Sequence, residues 1–217
     1  NLTAKQVYEA VAANPYGKPN TTKTWADVDP SLPAKPIAVY GPPKSSGTRD
    51  AFAELILEAG CKTDAATKAL KDSDKDKYEA TCHDVRTDGL YIEQGENDNL
   101  IVSKLTKNPD HIGVFGYSYM EENAGKVHGI ALDGVVPTYD SIAAGDYPGA
   151  RKLYIYVKKA HVGKIPGLAE FVSMFVDLGV ADGPLAKIGL IALPEADRAA
   201  QVEVAKSMKP LNGADLK

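Results

Sequence analysis

Tyr40-Gly41-Pro42-Pro43-Lys44-Ser45-Ser46-Gly47-Thr48-Arg49-Asp50-Ala51-Phe52 joins the end of one apolar run to the start of another. The run before it, Pro36-Ile37-Ala38-Val39-Tyr40, has the length of a short buried strand, with its proline at the entrance where a missing N–H does least harm. Turn formers and hydroxyls fill the middle. After them the spacing predicts a helix with Phe52, Leu55, Ile56 and Ala59 on one face and Gly60 as its terminator. The local order is strand, hydroxyl-glycine loop, helix.

That order recurs downstream. Leu90-Tyr91-Ile92-Glu93 reads as a strand, Gly95-Glu96-Asn97-Asp98 as a loop, and residues 99–107 as a helix that stops before Pro109. Ile112-Gly113-Val114-Phe115-Gly116 is the next strand candidate. Upstream, Thr3 and Gln6 have capping-box spacing and Leu2 with Val7 the spacing of a hydrophobic staple, which predicts a helix to about Ala12. Towards the C-terminus, Lys152-Leu153-Tyr154-Ile155-Tyr156-Val157 is the clearest strand pattern in the chain. An amphipathic helix follows, with Leu168, Phe171, Val172, Phe175 and Val176 on one face, and two further helical pieces are expected at 185–191 and 195–208. This alternation predicts an open, layered α/β fold rather than a bundle or sandwich.

The chain has 217 residues, 44% hydrophobic and 25% charged, enough for the core of one domain or two small ones. No apolar run approaches the ~18 residues of a membrane span; residues 171–180 come nearest, and Asp177 interrupts them. The net charge of −4 and the lack of a dense Lys/Arg cluster argue against a nucleic-acid partner. Lys71-Asp72-Ser73-Asp74-Lys75-Asp76-Lys77 alternates in sign and reads as solvated surface. Cys61 and Cys82 are the only cysteines. They are either small buried hydrophobes or a disulfide tying down the charged stretch between them, and the disulfide, with the oxidising compartment it implies, is the expectation. His83 adjoins Cys82, but no spaced Cys/His set accompanies them, so no metal site and no cofactor is expected.

The chemistry of the central loop is that of an anion cradle. The first N–H groups of a helix have no partner within it, and the helix dipole favours negative charge there. Ser45, Ser46 and Thr48 add hydroxyl donors, Gly47 permits close approach of backbone to a ligand, and Arg49 brings a forked, permanently charged donor. The same residues would also serve as a well-capped helix start, and both readings stand at this point. A nucleotide-binding Walker A loop is a poorer match, because Lys44 comes too early and no lysine follows Gly47. A phosphatase or acyl hydrolase would need an activated nucleophile. Ser45 and Ser46 lie at a strand-to-helix turn, yet the Gly-x-Ser-x-Gly elbow is missing and His83, His111, His128 and His161 show no spacing to it.

Residues 40–52, together with Gly95-Glu96-Asn97-Asp98-Asn99-Leu100-Ile101-Val102, Gly113-Val114-Phe115-Gly116-Tyr117-Ser118-Tyr119 and the Asn1-Leu2-Thr3 start, resemble the periplasmic phosphate-binding proteins that feed phosphate ABC transporters. The resemblance spans essentially the whole chain, and Ser-Gly-Thr-Arg is its most specific part. It implies a type II, Venus-flytrap, periplasmic-binding-protein-like fold, with residues 1–150 as the second lobe and 151–217 as the returning part of a first lobe that is incomplete here. It implies phosphate held by Ser46, Gly47, Thr48 and Arg49, with Ser45 and Asn97 as further candidates. Some members place the arginine before the Ser-Gly-Thr; Pro42 stands there in this chain, so Arg49 is the local candidate. Glu93, Glu96 and Asp50 are candidate proton acceptors for the ligand, with pairing to Arg49 the favoured role, and Tyr117 and Tyr119 are candidate cleft residues. The implied role is that of an exported, periplasmic receptor, not an enzyme, which hands phosphate to a membrane permease. A non-transport interaction module on the same fold is the alternative beside the hydrolase. Family members carry a further N-terminal segment, so the chain is expected to be a fragment that either self-associates through its incomplete lobe or lives with the absent segment as a separate piece.

Overall fold

The computed structural model describes residues 1–95 and 97–212. Helix α1 (Ala4–Val11) starts at Thr3, whose side chain accepts from Gln6 N while the Gln6 side chain accepts from Thr3 N, the reciprocal cap foreseen in the sequence. A short α2 (Trp25–Val28) is capped the same way by Thr24 and Asp27 and seats Trp25 in the core. Strand β1 (Val39–Gly41) follows, then a continuous helical stretch in three parts: α3 (Gly47–Ala51), a π-helical turn (Phe52–Leu57) and α4 (Glu58–Cys61). Helices α5 (Ala65–Ser73) and α6 (Lys75–Cys82) lead to β2 (Tyr91–Glu93), α7 (Asp98–Lys107) and β3 (Ile112–Gly113).

The three strands form a parallel sheet in the order β2-β1-β3, with Val39 opposite both Tyr91 and Ile112. Parallel neighbours require crossover connections. The helical stretch from Gly47 to Cys82 supplies one crossover and α7 the other, so the chain passes from β2 over β1 to reach β3. β1, Tyr8, Val11, Ile37, Phe52, Leu57 and Tyr91 meet in one buried core.

The helix after the loop does not present the predicted face. Phe52, Ala53 and Leu57 are buried, whereas Leu55 and Ile56 are only half-buried and Ala59 is exposed. The π turn is the reason: its wider winding puts residues five apart in register, so Phe52 and Leu57 share a face. Gly60 is likewise not a terminator. The helix continues to Cys61, and a Cβ at Gly60 would lie 2.3 Å from Ala4 O and 2.6 Å from Tyr8 Cβ. Glycine is there because the backbones of α1 and α4 touch.

Cys61 and Cys82 are disulfide-bonded, as expected, tying α4 to α6 around α5. Loop-closure entropy for their separation of 21 residues corresponds to about 3 kcal/mol. Beside the bridge, the buried Glu58 carboxylate accepts from Lys71 Nζ and faces His83 Nε2, both at 3.0 Å, and pairs with Lys62. Burial pushes its pKa up, but Lys62, the Tyr78 hydroxyl, Lys71 and His83 together outweigh burial and hold it at about 2. The charged stretch 71–77 is exposed throughout, as expected, and Lys71 reaches this carboxylate from the surface.

Beyond β3 the chain forms α8 (Tyr117–Glu122), α9 (Tyr139–Ala144), α10 (Leu168–Asp177) and α11 (Glu195–Ser207), the last two packed on each other. The expected helical piece at 185–191 reduces to a 3₁₀ turn, Ala186–Ile188. The strongest strand pattern of the sequence, residues 152–157, is not a strand. No described segment pairs with it, and Leu153, Tyr154, Ile155 and Tyr156 are all exposed. Alternation and β-branching supply a preference for extended backbone, but a strand needs a partner's N–H and C=O groups. None of the described helices is long and apolar enough to cross a membrane.

Gly60→Ala tests the close helix contact. An exposed helical glycine gains stability on this change, by roughly 0.5–1 kcal/mol. Here the added methyl must push α1 from α4, and a loss of about 1–3 kcal/mol is expected from urea unfolding. An unchanged or raised midpoint would contradict the packing described.

Candidate functional site

Because β1, β2 and β3 run in the same direction, the segments that follow them, starting at Pro42, Gln94 and Val114, all leave from the carboxyl edge of the sheet. In open α/β sheets ligands bind at this edge, beside the strand where the connection reverses direction. That strand is β1. Its last residue must be glycine, since a Cβ at Gly41 would fall 2.0 Å from the Tyr91 hydroxyl oxygen. The hydroxyl uses that space to donate to Pro42 O at 3.1 Å, which pins the start of the loop. Burial raises the Tyr91 pKa, so this donor stays protonated.

The loop closes with Ser46 N donating to Pro43 O at 3.0 Å. Ser46 is buried and caps α3: its Oγ accepts from Thr48 N at 3.2 Å, and its carbonyl accepts from Arg49 N and Asp50 N. Among the described residues, Gly47 N–H and the Thr48 hydroxyl have no hydrogen-bond partner. Gly47 is exposed, and its φ lies outside the left-handed region. The nearest atom to an added Cβ there is Arg151 Nη2, at 3.8 Å. Neither backbone strain nor protein crowding demands glycine at 47, and the space above it is open.

The sequence brings Ser46, Gly47 and Thr48 onto one turn, but it did not reveal where Arg49 points. The Arg49 side chain runs beneath the loop and is only 7% exposed. Its Nη1 lies 3.4 Å from Pro42 O and 3.6 Å from Glu93 Oε1, and the guanidinium carbon sits 4.7 Å from the Tyr91 ring centroid. Glu93 thus pairs with the Arg49 guanidinium, the role favoured for it from the sequence. Glu96 lies outside the described residues, and Asp50 makes no ion pair with Arg49 among them. Asn97 caps α7, accepting from Asn99 N at 3.0 Å, and Ser45 is exposed on the loop. Asp98 Oδ2 accepts from Gly116 N at 3.3 Å, which binds the start of α7 to the loop after β3.

An apolar-walled cleft of about 1460 Å³ opens beside the turn, with Thr48, Tyr117 and Arg151 among its lining. Burial and then Glu121 raise the Tyr117 pKa. The cleft is far larger than an oxyanion, and its lining includes residues around β3 and residues of the segment from Arg151 to Gln201. Arg151 is the functional candidate that sequence reading missed. It sits at the head of the 152–157 segment, yet its Nη2 donates to Gly47 O at 3.2 Å across 104 residues of chain. No local pattern marks such a contact.

The sequence profile of the PBP superfamily domain matches residues 1–177. Among curated relatives, the phosphate-binding protein PstS of Staphylococcus saprophyticus is 29% identical over 181 residues, covering 81% of this chain and 47% of that protein. Protein SphX of Synechocystis is 28% identical over 197 residues, covering 88% of this chain and 48% of that protein. A crystal structure of a possible phosphate binding protein from Planctomyces limnophilus superposes with a TM-score of 0.65 at 25% identity, covering 95% of this chain and 63% of the other. The chain thus spans about half the length of the curated relatives it matches.

Arg49→Ala removes a buried cation from a carbonyl, a carboxylate and an aromatic face. It is expected to lower unfolding stability by about 2 kcal/mol, read as a lower urea midpoint. A midpoint equal to the unsubstituted protein would show that these contacts contribute nothing to the loop.

Proposed function

The chain belongs to the PBP superfamily, and from that premise we propose that it is a receptor for inorganic phosphate that works by binding and release. The anion sits on the first turn of α3, held by Ser46, Gly47 and Thr48, with Ser45 and Asn97 on the rim. Arg49 contributes its charge from beneath the turn. The observation that carries this reading is Gly47: an exposed helix start with an unpartnered N–H and no protein atom within 3.8 Å of where a side chain would begin. Relatives whose names state phosphate binding support the choice of anion.

Residues 1–150 and 151–217 act as two bodies that close on the ligand, and the closed form is presented outside the cytoplasm to the permease of an ABC transporter. Binding, not hydrolysis, is the role that fits Ser46. Its Oγ is engaged by Thr48 N, and no described histidine is hydrogen-bonded to it. For a ligand of five heavy atoms, a ceiling of about 1.5 kcal/mol per atom limits affinity to roughly micromolar.

The exposed apolar face of 152–157 has a partner as well. A compact folded monomer of 23.1 kDa exposes about 9,700 Å² by the scaling of surface with mass. This chain exposes 12868 Å², an excess of roughly 3,200 Å² over its whole surface, which leaves ample area for a stable interface of about 800 Å² per partner that includes 152–157. A second copy of the chain covers it. Sedimentation at micromolar concentration should give a dimer or larger species; a monomer throughout would remove this part of the proposal.

Gly47→Ala separates site from scaffold. The methyl has room, so urea stability should hold or rise by up to about 1 kcal/mol. Phosphate affinity, measured by isothermal titration, should fall at least ~10-fold because the ligand's approach is blocked. Unchanged affinity would place phosphate elsewhere.

A further inference from the structure

We infer that Arg151 is a ligand-contacting residue of the phosphate site, the guanidinium that grips the anion from the returning segment. This rests on the reading of the Ser46–Thr48 turn as that site. Three observations converge on it. The first is position: Arg151 Nη2 donates to Gly47 O at 3.2 Å and is the nearest atom to the empty side-chain position of that same glycine.

The second is charge. The chain has four arginines. Arg49 faces Glu93, Arg86 pairs with Asp88 and Arg198 with Glu195. Among the described residues, Arg151 alone of the four has no carboxylate partner, and its one hydrogen bond goes to a carbonyl. A guanidinium carries five N–H donors in a fork that fits an oxyanion.

The third is the field in which this cation stands. It touches the first residue of a helical stretch that runs unbroken from Gly47 to Cys61. The start of a helix carries partial positive charge, so a lone cation there is repelled. An anion between the Gly47 and Thr48 groups and the Arg151 head turns that repulsion into two attractions. Arg49 cannot take this part without leaving Glu93 and the Tyr91 ring, whereas Arg151 has only to share its head between Gly47 O and the ligand. Because it heads the segment that returns across the cleft, its grip also links occupancy to the position of residues 151–212.

The test is isothermal titration of inorganic phosphate into the unsubstituted chain, Arg151→Ala and Arg151→Lys, each at low and high ionic strength. Arg151→Ala should bind ~10- to 100-fold more weakly and show a flatter dependence of Kd on salt, because one cation facing the ligand is gone. Arg151→Lys, which keeps the charge and loses the fork, should fall between them with the salt dependence retained. Phosphate binding by the unsubstituted chain with the same Kd and salt dependence in Arg151→Ala would overturn the assignment and leave the site itself standing. A lowered melting temperature with unaltered Kd would also overturn it, reducing Arg151 to a tie between two segments. No phosphate binding by the unsubstituted chain would remove the site and Arg151 with it.

Discussion

The site depends on one constraint, the parallel direction of three strands with β1 in the middle. Parallel neighbours cannot be joined by tight turns, so helices must cross the faces and every loop that follows a strand leaves from the same edge. The Ser46 turn, the Asn97 cap and the Gly116 turn lie at one end of the sheet for that reason. Gly41 holds the arrangement together at its narrowest point. Without a side chain it admits the Tyr91 hydroxyl from the adjacent strand, and that hydroxyl in turn fixes Pro42.

The rest of the domain secures the helix that starts at the loop. Its π turn rotates the buried face so that Phe52 and Leu57 both reach the core, and Gly60 brings its far end against α1. The disulfide and the Glu58 cluster then clamp that far end to α5 and α6. A helix fixed along its length presents its first N–H groups at a constant position. That rigidity suits the anion proposed to bind there, which has few atoms with which to compensate for a misplaced donor.

What the sequence disclosed was local. The Thr3–Gln6 box, the Ser46 and Asn97 caps, the strands of the sheet and the two-cysteine bridge each depend on residues whose chemistry acts within a turn or two, or on a pairing with no rival. What it hid depends on distance. Gly60 looks like a helix stop in sequence because terminators and close-contact glycines are the same residue; only α1 distinguishes them. The π turn moved the apolar face by a residue and so defeated a 3.6-residue period. The 152–157 run has every intrinsic strand preference, yet no described segment of the chain pairs with it, so β preference describes a fit to neighbours rather than a property of the segment. Arg49 was correctly placed on the helix, but its direction was set by Tyr91 and Glu93, more than forty positions along the chain. Arg151 had no local signature at all.

The proposed anion site is the first turn of α3, exposed at the carboxyl edge of the sheet. Amide proton–nitrogen correlation spectra of the labelled chain, recorded while inorganic phosphate is added, test it most directly. The Gly47 and Thr48 amides are expected to shift first and furthest, in saturable fashion, while amides of the α5–α6 region stay still. Shifts that begin elsewhere, or a Gly47 amide unmoved by millimolar phosphate, would contradict it.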